Sequence, residues 1–106
     1  RHGKTPSDAE RLMIDAKALE AAGAFSVVIE CLMPEVAESI TQSLKIPTIG
    51  IGSGPNCAGQ VLVINDLIGL NTKPLPGFVK PRANVAAVIE QAAREYIADI
   101  QKREQA

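Results

Sequence analysis

Three short runs constrain what this chain can fold into: Phe25-Ser26-Val27-Val28-Ile29, Ile46-Pro47-Thr48-Ile49-Gly50-Ile51 and Val61-Leu62-Val63-Ile64. They are apolar without regular alternation. A strand with one face in water alternates, whereas a strand covered on both faces does not, so the runs predict a parallel sheet lying between helices. The first two begin near residues 25 and 46, a repeat length suited to βα units. Hydrophobic residues make up 46% of the chain and aromatics only 3%, so the core must be built from Ala, Val, Ile and Leu, the usual filling of such layers.

Helical signals surround the runs. Thr5-Pro6-Ser7-Asp8 opens a helix, with Thr5 as cap, Pro6 at the first helical position and Asp8 placing negative charge in the first turn. That helix is expected from Pro6 to Ala22, with Ala9, Leu12, Ala16 and Leu19 on one stripe and Gly23 as its left-handed stop. A second helix is expected from Pro34 to Leu44, burying Val36, Ala37, Ile40 and Leu44. Pro74, Pro76, Gly77 and Pro81 keep Leu70 to Asn84 irregular. A last helix runs from its cap Asn84 to Lys102, with Val85, Val88, Ile89, Ala92, Tyr96, Ile97 and Ile100 on one side.

Several classes of partner are argued against. Eleven basic and twelve acidic residues nearly cancel, and neither sign is gathered into a block, so nucleic acid and anionic membrane surfaces are not expected. No apolar run reaches the roughly 18 residues that span a bilayer, and Arg1 to Pro6 is too polar for a signal-peptide core. The chain therefore reads as soluble and cytoplasmic. Cys31 and Cys57 have neither metal-site spacing nor disulfide density and read as free thiols. His2 is the only histidine, which excludes sites built from several.

Candidate chemistry collects after the runs. Glu30 follows the first run at its carboxyl end, where barrel enzymes place catalytic groups, and a carboxylate partly withdrawn from water is a stronger base than a solvated one. From position alone, capping of the next helix or pairing with a lysine explains Glu30 somewhat better. Gly50-Ile51-Gly52-Ser53-Gly54 offers backbone N–H groups at the same end, fit to hold a carboxylate or phosphate, or is simply a tight turn needing positive φ. Asp66 reads as the cap of a turn around Leu67 to Gly69, with ligation, or a hydrogen bond to a ligating group, as the alternatives. Lys80 and Arg82 read as solvated, as do Asp15, Lys17 and Glu20 on the polar side of the first helix.

Taken together, four segments resemble one family. Asp15 to Ala24 (DAKALEAAGA), Val28-Ile29-Glu30-Cys31, Ile46 to Gly54 (IPTIGIGSG) and Gly59 to Val63 (GQVLV), followed by Phe78-Val79-Lys80, are similar in order and spacing to ketopantoate hydroxymethyltransferase. The resemblance implies transfer of a hydroxymethyl group from 5,10-methylenetetrahydrofolate to the keto acid 3-methyl-2-oxobutanoate, giving 2-dehydropantoate. It implies Glu30 as the base that removes the C3 proton, Gly50 and Gly52 near the substrate, and a Mg2+ ion whose acidic ligands lie upstream of this segment. It also implies a homo-oligomer. Ala58 stands where the family usually has Asp, Met33-Pro34 displaces its usual proline, Asn65 precedes Asp66 where His or Gln is commoner, and no E-H-S-F-like segment follows Gln105.

The expected fold is thus α/β: a single partial domain over residues 1–106, forming the C-terminal part of a (βα)8 barrel with a long C-terminal helix. A full barrel needs about 250 residues. Without the remainder, the chain is expected to be inactive. Two rivals remain, a non-catalytic half-barrel that associates with itself or a complementary half, and a lyase or mutase of the phosphoenolpyruvate mutase-like superfamily.

Overall fold

Three parallel strands form the sheet in the order β1-β2-β3: β1 is Val27–Glu30, β2 is Thr48–Ile51 and β3 is Gly59–Gln60. The computed structural model describes residues 1–71 and 73–103. The chain divides into two compact units, the first Arg1–Val61 and the second beginning at Leu62. In the first unit, helix α1 (Pro6–Ala21) precedes β1 and helix α2 (Pro34–Ser43) links β1 to β2. The predicted α/β arrangement of parallel strands and a C-terminal helix is present, with the ends of the first two strands and of the helices shifted by one or two residues.

Local chemistry explains the helix ends. The Thr5 side chain accepts the Asp8 N–H at 3.2 Å, Pro6 starts α1, and Gly23 follows its end at φ 103°. Asp8 adds more than a dipole partner, because its Oδ2 accepts the Gly3 N–H at 2.6 Å and ties the entering chain to the first turn. Glu20 departs from its expected solvated role: its Oε2 accepts the N–H groups of Lys45 and Ile46 at 2.6 and 3.0 Å, joining the end of α1 to the approach to β2. Those two amides lie beyond the end of α2 and before β2, where no ladder partner satisfies them.

The core lies against one face of the sheet. Ala16, Ile29, Leu32, Ala37, Ile40 and Leu44 are buried together, with Leu12, Met13, Val27, Val36, Ile46 and Cys57 packed around them. On β1, Ile29 is 4% exposed while Val28 is 62% exposed. The expectation of strands covered on both faces is therefore corrected for the described residues, since on the opposite face Val28 is exposed and Ile49 and Ile51 are only half-buried. Leu19, expected in the stripe of α1, is 50% exposed, because it lines a groove of about 140 Å3 along β1.

The third strand is also corrected. β3 ends at Gln60, and Ile64–Leu67 forms a short helix, α3, instead of continuing the apolar run as a strand. The reason is its partner: Ile49 pairs with Gly59 and Gly50 with Gln60, the Val61 N–H reaches the Gly50 carbonyl, and β2 then turns away through Gly52 at φ 65°. An apolar run cannot remain a strand once nothing accepts its hydrogen bonds.

In the second unit, the segment after α3 shapes the start of helix α4 (Val85–Lys102). The carbonyls of Leu67, Ile68 and Gly69 accept from Arg82, Val85 and Ala86, and Asn84 accepts the Ala87 N–H through its side chain. The predicted cap and loop both hold. The apolar stripe of α4 is exposed, however, with Val88 at 68% and Ile97 at 54%. The departure noted after Gln105 lies outside the described residues.

A hydroxyl relay pins β2 to α2. Thr41 donates to the Ala37 carbonyl, so the buried Thr48 hydroxyl donates to Thr41 Oγ1 at 2.7 Å and accepts the Ala58 N–H at 3.2 Å. Replacing Thr48 by Val should lower stability by about 1–3 kcal/mol, because the Ala58 amide loses its acceptor, whereas Thr48→Ser keeps the relay and should cost less. Urea midpoints for the two variants that fall in the reverse order would refute the assignment.

Candidate functional site

Glu30 is the last residue of β1 rather than the one after it. Alternation along the strand decides where it points: Val27 and Ile29 face the helices, so Val28 and Glu30 stand on the open face. Parallel pairing sets Val28 beside Ile49 and Glu30 beside Ile51. The carboxylate is thus presented at the carboxyl end of the sheet among branched aliphatic side chains. Glu30 is exposed, so any withdrawal from water must come from groups other than those described.

Both ordinary explanations for Glu30 can be examined directly. Helix α2 takes Met33 as its cap, with no side chain bonded to its first turn, so Glu30 does not cap it. Among the described residues the ion pairs are Arg11 with Asp8 and Arg94 with Glu90, and no lysine pairs with Glu30. Its carboxylate is left available for another partner.

The backbone around Glu30 is held firmly. Cys31 adopts φ 55°, a left-handed conformation that costs a non-glycine residue roughly 1–3 kcal/mol and persists only when its surroundings impose it. Its N–H donates to the Ile51 carbonyl at 2.9 Å, and its carbonyl accepts the His2 N–H at 2.7 Å. His2 in turn accepts the Met33 N–H at 2.8 Å, making a one-residue parallel bridge beside Leu32. The buried Ser53 completes the frame: its Oγ accepts the Leu32 N–H at 3.0 Å and donates to the Ile29 carbonyl at 2.9 Å. The residues flanking Glu30 and Cys31 are therefore clamped by a hydroxyl from the turn after β2.

Sequence reasoning missed Ser53 and the pairing role of His2. No local periodicity could have marked them, because the partners of Ser53 lie 21 and 24 residues away in the chain. It did single out the glycines. Gly50 sits inside β2 with its carbonyl engaged by Val61, and a Cβ there would come within 2.8 Å of Cys57 Sγ, so the glycine makes room for that thiol on the helix side. Gly52 and Gly54 take φ 65° and 82°, as the turn reading requires, and a Cβ on Gly54 would lie 2.6 Å from that of Pro34.

Asp15 lines the same groove along β1 as Glu30. Asp66 lies within α3, where its side chain accepts from the Asn71 side chain and its carbonyl from the Gly69 N–H. Lys80, Arg82, Asp15 and Lys17 are exposed. Cys31 and Cys57 are free and half-buried. Among the described residues, no three His, Cys, Asp or Glu side chains converge to hold a metal ion, so a magnesium site does not fit these residues alone. No described helix is long and apolar enough to cross a membrane.

Parallel strands, the first two joined through a helix, with a carboxylate at a strand's carboxyl end that pairs with no described residue, define an α/β protein. Comparison with known proteins narrows this. The sequence model of the family described as ketopantoate hydroxymethyltransferase matches residues 1–105, and the chain belongs to that family. It is 52% identical over 97 residues to 3-methyl-2-oxobutanoate hydroxymethyltransferase of Chlorobaculum parvum, covering 92% of this chain and 35% of that protein. The relative of the same name from Geobacter metallireducens is 52% identical over 102 residues, covering 96% and 38%. That from Carboxydothermus hydrogenoformans is 47% identical, covering 96% and 37%. The chain thus spans little more than a third of these relatives, and the resemblance read in its sequence holds.

The Ser53 clamp can be tested by itself. Ser53→Ala should leave the Leu32 amide unpartnered, lower stability by about 1–3 kcal/mol and accelerate hydrogen exchange at that amide. Unchanged protection of Leu32 would show that the clamp does not hold the strand end.

Proposed function

We propose that this chain is the C-terminal portion of a (βα)8-barrel hydroxymethyltransferase that acts on 3-methyl-2-oxobutanoate, with Glu30 as the base. The reading is carried by one observation: an unpaired carboxylate stands at the carboxyl end of β1, on the face away from the helices, in a chain of this family. In a closed barrel that face is the interior, and the carboxyl ends form its mouth. The names of the relatives supply the substrate and the transferred group.

In this reading a Glu30 carboxylate oxygen takes the proton from C3 of the keto acid, and the electron pair of the broken C–H bond passes into the enolate. Water cleaves the two C–N bonds of the methylene carbon of 5,10-methylenetetrahydrofolate, releasing tetrahydrofolate and a formaldehyde-level unit; C3 of the enolate adds to that carbon, and the new alkoxide takes back the proton held by Glu30. The rigid clamp around Cys31 serves this step, because a base works only when held within hydrogen-bond reach of its proton. Gly52, at the same end of the sheet, shapes the turn beside the substrate, and Gly50 brings the chain to it. Ligands for Mg2+ belong, in this proposal, to parts of the enzyme other than these residues. The exposed stripe of α4 favours a homo-oligomer or a complementary half as its covering.

The test uses a chimera in which this segment replaces the homologous third of the Chlorobaculum parvum relative. Glu30→Gln should reduce both C3 proton exchange and 2-dehydropantoate formation by about 10²–10⁴-fold, the usual contribution of a positioned base. A reduction of less than threefold would exclude Glu30 as the base. The isolated chain, assayed with magnesium and both substrates, should form no product, and sustained turnover would contradict the need for the remaining barrel.

A further inference from the structure

The turn after β2 carries three backbone amides that meet no acceptor among the described residues, those of Gly52, Ser53 and Gly54. The cause lies in how the ladder ends. Cys31 donates to the Ile51 carbonyl at 2.9 Å, so in a continued parallel ladder the Cys31 carbonyl would accept the Ser53 N–H. The left-handed conformation of Cys31 ends that ladder, and its carbonyl takes the His2 N–H instead. On the other side β3 stops at Gln60. Ser53 is nonetheless 1% exposed. A backbone N–H buried without a protein partner is rare, and one that stands beside a candidate base points to an acceptor atom arriving with the substrate.

The turn is held in place by the chain itself. Ser53 Oγ joins it to Leu32 and Ile29, the Gln60 side chain donates to the Gly54 carbonyl at 3.0 Å, and Gly54 lies too close to Pro34 for any side chain. Gly52 and Gly54, at φ 65° and 82°, have the left-handed backbone from which successive amides converge on an anion. Gly52 directly follows Ile51, the register partner of Glu30, so these donors stand at the same end of the sheet as the carboxylate. In the proposed reaction the oxygen of the transferred unit becomes an alkoxide and takes its proton from Glu30, which requires it within hydrogen-bond reach of that acid. We infer that the amides of Gly52, Ser53 and Gly54 form an oxyanion pocket for this alkoxide. The enolate supplies the electron pair of the new carbon–carbon bond, the π pair of the accepting C=O passes to its oxygen, the amides hold that oxygen, and Glu30 returns the proton. Fixed donors aimed at charge that develops only during bond formation lower the barrier without reorganising. The assignment rests on Glu30 being the base, and adds the groups that stabilise the charge of the second step.

The experiment deletes one N–H from the same chimera. Incorporating the α-hydroxy analogue of serine at position 53 turns that amide into an ester and keeps Oγ, so the clamp on Leu32 and Ile29 stays. The urea midpoint should not move, because the deleted N–H has no protein partner; a lowered midpoint would show that it has one and overturn the inference. The kcat for 2-dehydropantoate formation should fall by about 10²-fold or more, the usual loss for one oxyanion donor. C3 proton exchange of the keto acid alone, which precedes the alkoxide, should stay within about twofold of the parent. Product formation within about threefold of the parent overturns the inference, and so does an equal loss of exchange, which would put the keto acid's own carboxylate or enolate on these amides. Glycolate at position 52 repeats the test without touching Ser53. Glu30→Gln runs alongside: if exchange survives it, the base assignment fails and this inference with it, whereas abolished exchange in that variant with unaltered turnover in the esters removes only the oxyanion pocket.

Discussion

The first compact unit depends on how β1 meets β2 at their carboxyl ends. Four residues pair in parallel, from Val27 with Thr48 to Glu30 with Ile51, and a four-residue strand pair is marginal when left to itself. Two hydroxyls make it specific. Thr48 fastens β2 to α2 at the start of the register, and Ser53 fastens the turn after β2 to the backbone on both sides of the Glu30-Cys31 pair. Both side chains are buried, so each polar atom must be satisfied, and a shift of register would leave several without partners. The strained φ of Cys31 is sustained by this frame.

That frame separates packing from chemistry. Residues facing the helices, Val27, Ile29 and Leu32, join Ala37 and Ile40 in the core and supply the burial that stabilises the unit. Residues on the other face, Val28, Glu30, Ile49 and Ile51, contribute little to that core. A side chain freed from packing can be chosen for chemistry, and the strand end still positions it rigidly.

Glu20 and His2 illustrate how polar groups at the margins serve the same end. Each satisfies backbone groups that no ladder or helix reaches: Glu20 the amides before β2, and His2 the turn beyond β1. Both keep the loops at the two ends of the sheet in fixed conformations, and so contribute to the geometry around Glu30 indirectly.

Much of this was legible in the residues alone. Thr5-Pro6 and Asn84 mark helix starts, Gly23 marks a helix stop, and the β-branched runs mark two strands, because these signals act within a few residues. The family was legible for the same reason, since its segments keep their order and spacing. The fate of Val61 to Ile64 was not, because whether an apolar run stays a strand depends on a partner elsewhere in the chain. Nor were the clamp by Ser53, the second role of Glu20 and the pairing of Ile51 with Glu30. Sequence determined which elements form and which acid stands at a strand end; only tertiary structure decided which face that acid occupies and what stands beside it, because register and long-range hydrogen bonds join residues that no local pattern connects.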